Sequence, residues 1–134
     1  MPKKKVSLLD RAKGDLKIAE LNLTLGISDD IVMDICAHHC QQCVEKVAKY
    51  LILLSGSDYA PEHYTTDYLP ELEGDEQVTA LIESVATQID SWATTIRYTS
   101  SIKSNVGSVR KVIAVCKELI EIAESRYPDS NEAK

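Results

Sequence analysis

The sequence has little of what β-rich or membrane-spanning proteins use. It contains no phenylalanine, one tryptophan, five glycines and four prolines among 134 residues, which leaves few positions for the tight turns of a β-sandwich. No apolar run approaches the roughly 18 to 20 residues that cross a bilayer. The basic start Pro2–Lys5 is not followed by the apolar core of a signal peptide. We therefore expect a cytoplasmic protein without a membrane segment.

The overall charge is acidic, with a formal value of −6 and a sequence pI near 5.0. This balance argues against a surface that binds nucleic acid as a whole, although it leaves room for a local basic groove. With 44% hydrophobic and 27% charged residues, the composition is that of one globular domain with one core. We expect a single domain over residues 1–134, with flexible tails at 1–6 and 128–134.

Apolar residues recur at spacings of three and four along most of the chain, the pattern of helices that each bury one face. The predicted helices cover Ser7–Leu25 with Gly26 ending it, Ser28–Leu54 with Ser28 as N-cap, a short stretch at His63–Leu69, Glu76–Ser101 after Gly74-Asp75, and Val106–Arg126 with Asn105 as its cap. The predicted inward face of the fifth helix consists of Val109, Ile113, Cys116, Ile120 and Ala123. Short connections between long helices favour antiparallel neighbours. The predicted fold is all-α, an up-and-down antiparallel bundle of four long helices plus one short helix.

A polar stripe runs along the predicted second helix beside its apolar face. At 100° per residue, the members fall within roughly 80° of one another; they are His39, Gln42, Lys46 and Lys49. Polar groups at the border of a core need partners. Two ammonium groups, an imidazole and an amide suit a phosphate, a nucleotide or the carboxylate of a partner. The alternative is a solvated helix face whose lysines extend along the surface into water.

The run His39–Lys49 reads H-x-Q-Q-x-x-E-K-x-x-K and resembles the second-helix signature of HEPN domains. The resemblance covers about residues 10–125. Its other features are Asp15-Leu16 and Ala19 in the first helix, His63 before the short helix, and Arg97-Tyr98 in the fourth, where Thr99 replaces the family's proline.

The resemblance implies a small helical bundle that forms dimers, often beside a minimal nucleotidyltransferase. Some family members are metal-independent ribonucleases with an Arg-x4-6-His motif shared across a dimer cleft. No arginine of this chain has a histidine at that distance. After Arg97 the corresponding positions are Ile102, Lys103 and Ser104, none of which is a general acid or base near neutral pH. We therefore expect no catalytic residues and no cofactor.

These observations predict a HEPN-like binding or assembly domain. It would be a homodimer that binds a nucleotide or other phosphate-bearing ligand and accompanies a nucleotidyltransferase-type protein. The predicted ligand-binding residues are His39, Gln42, Lys46, Lys49, His63, Arg97 and Tyr98. One alternative is structural dimerisation, or a toxin–antitoxin component, without a small-molecule ligand. Another is a metal-independent ribonuclease that uses Arg97 with a different base.

The four cysteines and the histidines also raise the question of a metal or a nucleophile. Three cysteines lie within eight residues of one predicted helix, and a straight helix rarely surrounds zinc without ligands from a second element. A zinc site would combine Cys36, His39, Cys40 and Cys43 with Cys116 or His63. A nucleophilic pair would join Cys40 or Cys43 to His63. We expect buried structural thiols in a reducing compartment and no metal.

Two further groups of residues have a structural and a functional interpretation. The acidic run Glu71–Glu76 is typical of a solvated loop before a helix N-terminus, or it binds a cation. Tyr59, Tyr64 and Tyr68 surround His63 in sequence, and they cover one end of the bundle or stack on a base. We expect the structural role in both cases.

Overall fold

A computed structural model describes residues 6–56, 65–72, 74–98 and 104–126, with the side chains of 94–98 and 126 left out of the description. Within these ranges the helices are α1 (Leu8–Ile27), α2 (Asp30–Leu54), a 3-10 helix (Thr65–Leu72), α3 (Glu76–Ser84), α4 (Ala86–Tyr98) and α5 (Val106–Arg126). The described residues contain no strand, which confirms the predicted all-α class. Of the predicted tails, residues 1–5 and 128–134 lie outside the described residues, as does the predicted site residue His63.

Helix α2 is the central element of the bundle. It packs along α1 as an antiparallel hairpin, and its other sides contact α5, α4 and the 3-10 helix. Helix α5 also packs against α1. The core between these elements is aliphatic apart from Trp92 and two tyrosines. The inward face predicted for the fifth helix is confirmed, since its members Val109, Ile113, Cys116, Ile120 and Ala123 are all buried.

The ends of α1 and α2 are set by local hydrogen bonds. At the start of α1, the Ser7 hydroxyl accepts from the Asp10 amide and the Asp10 carboxylate accepts from the Ser7 amide, both at 3.1 Å, the reciprocal pattern of a capping box. At the start of α2, the Asp29 carboxylate accepts from the amides of Ile31 and Val32. The prediction that Ser28 caps α2 is therefore wrong by one residue.

Gly26 holds α1 and α2 close together at the hairpin turn. The prediction that this glycine ends α1 is wrong, because the helix continues to Ile27. A Cβ atom at Gly26 would lie 3.1 Å from the Cα of Met33, so the α2 backbone would have to move by a few tenths of an ångström to admit it. Glycine at this position accommodates the close approach of the α2 backbone.

The predicted fourth helix is two helices in the structure, α3 and α4, separated at Val85. The Ser84 hydroxyl donates to the Leu81 carbonyl at 2.6 Å, and the Val85 amide donates to the Ile82 carbonyl at 3.1 Å. The Leu81 carbonyl thus accepts a hydrogen bond from the Ser84 side chain instead of from the Val85 amide, which would be its partner in a continuous α-helix. The apolar residues keep helical spacing across this break, so the sequence pattern did not reveal it.

The start of α5 is fixed to α2 by one buried carboxylate. Asp34, which is 9% exposed, accepts hydrogen bonds from the amide and the hydroxyl of Ser104. The predicted cap at Asn105 is confirmed, since its side-chain oxygen accepts from the Ser108 amide at 2.9 Å. These bonds set where α5 begins relative to the hairpin.

Candidate functional site

The four residues of the predicted polar stripe on α2 share one half-buried strip of surface. The side chains of His39, Lys46 and Lys49 are 29%, 24% and 22% exposed, and Gln42 is also of intermediate exposure. They neither extend fully into water nor enter the core. Their polar atoms must therefore find partners within the protein or on a ligand.

Asp15 of α1 is the principal partner of the stripe. One of its carboxylate oxygens lies 2.8 Å from Nδ1 of His39, and the other accepts from the ammonium of Lys46. The Asp15 side chain is only 12% exposed. A nearly buried carboxylate that meets both an imidazole and an ammonium compensates its own desolvation with two charge-assisted contacts. We call Asp15, His39 and Lys46 the seam cluster, because they join the outer edges of α1 and α2.

A second carboxylate serves the C-terminal half of the stripe. Glu45 lies 3.5 Å from the ammonium of Lys49 and accepts from the Gln42 amide at 3.4 Å. Gln42 also donates to the side chain of buried Gln41 at 2.8 Å. The ammonium of Lys49 lies 5.8 Å from the centre of the Tyr68 ring, within the range of a cation–π contact. This part of the stripe therefore connects α2 to the 3-10 helix.

These contacts change the electrostatic interpretation of the stripe. Two lysines face two carboxylates, so the strip is neutral when His39 is neutral. A phosphate group would have to compete with Asp15 for Lys46 and with Glu45 for Lys49. The sequence had marked Asp15 only as part of the family resemblance. Its role as the shared partner depends on a contact between two helices, which periodicity within one helix does not reveal.

The remaining predicted ligand residues are placed less completely. Arg97 and Tyr98 lie in the last turn of α4, and their side chains are outside the described part of the chain, as is His63. The structure thus brings together four of the seven predicted residues: His39, Gln42, Lys46 and Lys49.

Large apolar side chains are exposed beside the seam cluster. Six of them fall between residues 18 and 35; they are Ile18 (42% exposed), Leu21 (67%), Leu25 (60%), Ile27 (57%), Ile31 (68%) and Ile35 (48%). Ile18 lies one turn from Asp15 on α1, and Ile35 lies one turn from His39 on α2. We call these six side chains the hairpin patch.

The cysteines are buried thiols, as predicted. All four are free and buried, and the Cys116 thiol donates to the Cys40 carbonyl at 3.5 Å. Hydrogen bonds with the side chains of Cys40 and Cys43, together with burial, raise the pKa of Cys116 well above its usual range. A thiol with a raised pKa is a poor nucleophile at neutral pH. Among the described residues, no group of histidine, cysteine and carboxylate side chains is arranged to hold a metal ion.

The long helices of the described chain carry too many polar residues for a bilayer. None of them contains a window that is long and apolar enough to span a membrane.

Comparison with protein families gives one match. The family model described as "HEPN domain" matches residues 6–126, which agrees with the resemblance drawn from the His39–Lys49 run. Searches of curated proteins and of solved structures gave no match.

Proposed function

We propose that this chain, which belongs to the HEPN domain family, is an assembly module that pairs with a second copy of itself through the outer face of its α1–α2 hairpin. The observation that carries the proposal is the hairpin patch. Single exposed leucines are ordinary on protein surfaces, but six large apolar side chains exposed within residues 18–35 of one hairpin indicate an interaction surface.

The size of the patch is adequate for a dimer. The six side chains expose on the order of 600 Å² of surface, compared with about 800 Å² per partner in an interface of standard size. Polar neighbours such as Asn22 and the seam cluster supply the rest. Covering this surface would remove apolar area from water, which is the main favourable term in association.

Charges at the two ends of the hairpin favour a second copy as the occupant. Exposed Arg11 lies seven and fourteen residues before Ile18 and Leu25, so the three share one face of α1. Exposed Asp29 and Asp30 lie at the opposite end, at the turn. A two-fold axis across the hairpin places each arginine opposite the acidic turn of the other copy.

The seam cluster fits the middle of such an interface. The cluster contains one lysine and one carboxylate, whose charges balance, so two copies would not repel one another there. A buried ion pair of this kind adds little net affinity to an interface. An arrangement of the two copies that leaves one of its charges buried without a partner is strongly disfavoured. The cluster would therefore select one register of the two hairpins.

The first experiment measures mass in solution by size-exclusion chromatography with light scattering. We expect the parent protein to be a dimer, and Leu25→Glu with Ile31→Glu to be a monomer with unchanged helical circular dichroism. Leu53→Glu is the matched control, because Leu53 is 43% exposed on α2 outside the patch. A monomeric parent at high concentration would contradict the proposal, as would a double variant that remains dimeric.

The second experiment tests the orientation by charge reversal. Arg11→Glu places two acidic groups against each other in each half of the dimer, and Asp30→Arg does the same with basic groups. Each change alone is expected to weaken dimerisation, and the combination is expected to restore most of it. Sedimentation equilibrium measures the three dissociation constants. Additive weakening in the combined variant would mean that these residues do not face each other.

A nucleotidyltransferase-type protein, which the family resemblance suggests as a partner, is the alternative occupant of the same face. In that case the purified chain would be a monomer, and the variant at Leu25 and Ile31 would lose association with that protein. A toxin–antitoxin role would be one use of such a complex.

A second candidate function is binding of a nucleotide or other phosphate-bearing ligand at the polar stripe. It is favoured by the partial exposure of His39, Lys46 and Lys49 along one strip of α2. It is disfavoured by the carboxylates that already contact both lysines. Calorimetric titration with ATP tests it, using Lys46→Ala and the exposed control Lys17→Ala. Absence of heat from the parent protein would remove this candidate.

A further inference from the structure

Acidic and basic residues are unevenly distributed along the chain. Residues 50–96 contain nine aspartate and glutamate residues and neither lysine nor arginine, so all fifteen lysines and arginines lie elsewhere. The 3-10 helix, α3 and most of α4 belong to this stretch. A field of one sign over one side of a protein raises the rate at which a partner of the opposite sign arrives.

A groove lies between the 3-10 helix and α3, both of which belong to this acidic stretch. It has a volume of about 370 Å³ and is lined by Leu69, Pro70, Glu76, Thr79, Ala80 and Glu83. The hydroxyl of Thr79 donates to the Leu72 carbonyl at 3.1 Å and ties α3 to the 3-10 helix. The two walls of the groove are therefore joined by a direct hydrogen bond.

The lining of the groove is partly apolar and partly acidic. Leu69, Pro70 and Ala80 are its apolar residues, and Glu76 and Glu83 are its acidic ones. Glu76 and Glu83 are both exposed and seven residues apart, so they lie on one face of α3, about 10 Å apart along the helix axis. In a polyproline II segment, which has three residues per turn and a rise of about 3.1 Å per residue, residues i and i+3 lie on one face roughly 9 Å apart.

We propose that this groove binds a basic segment of a partner protein in polyproline II conformation. Cationic side chains at positions i and i+3 would meet Glu76 and Glu83, and the residues between them would cover Leu69, Pro70 and Ala80. The long aliphatic stems of lysine and arginine suit such a site, since they pack on apolar surface while the charge stays at the rim. This site is separate from the hairpin patch and does not depend on it.

The test uses fluorescence anisotropy with a labelled peptide that carries two lysines separated by two alanines. Glu76→Gln with Glu83→Gln is expected to weaken binding at least about fivefold, because both charge pairs are lost. The matched control is Glu118→Gln with Glu121→Gln, which removes two charges from exposed positions of α5. We expect the control to keep nearly the parent affinity. Equal loss of peptide affinity in the two double variants would mean that only the overall charge of the protein matters, which would overturn the proposal.

A second variant blocks the groove without removing its charges. Ala80→Arg places a guanidinium four residues after Glu76 and three before Glu83, spacings at which opposite charges on a helix attract. The variant is expected to keep or raise the melting temperature and to lose peptide binding. Retained binding in a folded Ala80→Arg protein would overturn the proposal.

The peptide itself tests the spacing. A peptide of the same composition with its two lysines adjacent is expected to bind several-fold more weakly, because only one ammonium reaches a carboxylate at a time. Equal binding of both peptides, or no binding of either to the parent protein, would overturn the assignment of Glu76 and Glu83 as the two receptors.

Discussion

The α1–α2 hairpin carries both signs of charge and exposes large apolar side chains, whereas residues 50–96 carry nine acidic groups and no lysine or arginine. The two regions also use different core residues. The hairpin buries many small side chains, among them Ala12, Ala19 and Ala37, beside larger ones such as Leu16. Beyond α2, the acidic region supplies four of the largest fully buried side chains: Trp92, Tyr68, Ile82 and Ile89.

The difference lies in how many large apolar side chains each region leaves at its surface. Small residues let α1 and α2 approach closely, as the short distance between Gly26 and the Met33 backbone demonstrates. Six large side chains of the same two helices lie outside the core and form the hairpin patch. Among the described residues of the acidic region beyond α2, the large apolar side chains are buried or half-buried.

The largest expected effect comes from removing the main aromatic anchor of the acidic region. Trp92 is fully buried in α4, so Trp92→Ala should lower the free energy of unfolding by about 3–5 kcal/mol through lost burial and a cavity. Leu21→Ala is the control in the hairpin. Leu21 is 67% exposed, and its truncation should change stability by less than about 0.5 kcal/mol.

Urea denaturation of both variants at a concentration that keeps the protein monomeric gives the two values. A large loss for Leu21→Ala under those conditions would contradict the placement of Leu21 in an exposed patch outside the core. A small loss for Trp92→Ala would mean that the acidic region does not depend on this anchor.

An intermediate effect is expected at the seam cluster. Asp15→Ala leaves the half-buried groups of His39 and Lys46 without their shared carboxylate, and should cost about 1–3 kcal/mol. The matched control is Glu20→Ala, which also removes a carboxylate of α1 that pairs with a lysine of another helix, at 2.9 Å from Lys117. Both members of that pair are 40% or more exposed, so its loss should cost no more than about 1 kcal/mol.

Chemical denaturation at pH 7 measures both changes. Equal costs would show that burial of the cluster adds nothing to its stabilising effect. The hairpin and the acidic region would then differ only in the size of the side chains that they bury.

The smallest expected effect has the opposite sign. Burial raises the pKa of Asp90 above its ordinary value of 3.8, and the nearby charge of Asp67 adds to the shift. The folded state therefore holds the proton more tightly than the unfolded chain. Ionised Asp90 weakens the fold above its folded-state pKa, and this cost vanishes below pH 3.8.

Asp90→Asn should accordingly be more stable than the parent protein at pH 7, and the advantage should disappear near pH 3.5. It keeps an oxygen that can accept the 2.7 Å hydrogen bond from Thr66. The exposed control Glu118→Gln should show no such pH-dependent gain. Urea midpoints at both pH values provide the test; a gain of the same size at both would exclude ionisation as its cause.

Much of the fold could be predicted because each helix is marked by residues close together in sequence. The capping serine before α1, the apolar stripes and the asparagine before α5 are local signals, and the structure uses all of them. The break at Val85 was missed because the buried series Val78, Ile82, Val85, Ile89 keeps helical spacing across it. The Ser84 hydroxyl donates to the Leu81 carbonyl at this break, but serine also occurs within continuous helices, so its presence does not predict one.

The polar stripe could be recognised from α2 alone, but its electrostatics could not. Spacing placed His39, Gln42, Lys46 and Lys49 on one strip, and their partial burial agrees with a position at the border of the core. Whether the strip is a cationic site or a neutral one depends on Asp15, which is 24 residues away from His39 and 31 from Lys46.

By itself, the sequence determined the helical class, the position of most helices, the burial of the thiols and the concentration of acidic charge in residues 50–96. These properties follow from periodicity, capping and composition, which act over one or two turns of chain. Only the tertiary structure decided that Asp15 balances the charge of Lys46 in the stripe, that large apolar residues of the hairpin remain outside the core, and that Glu76 and Glu83 line a groove. Each of these results depends on how closely two helices approach, and that distance is fixed by packing between residues far apart in sequence.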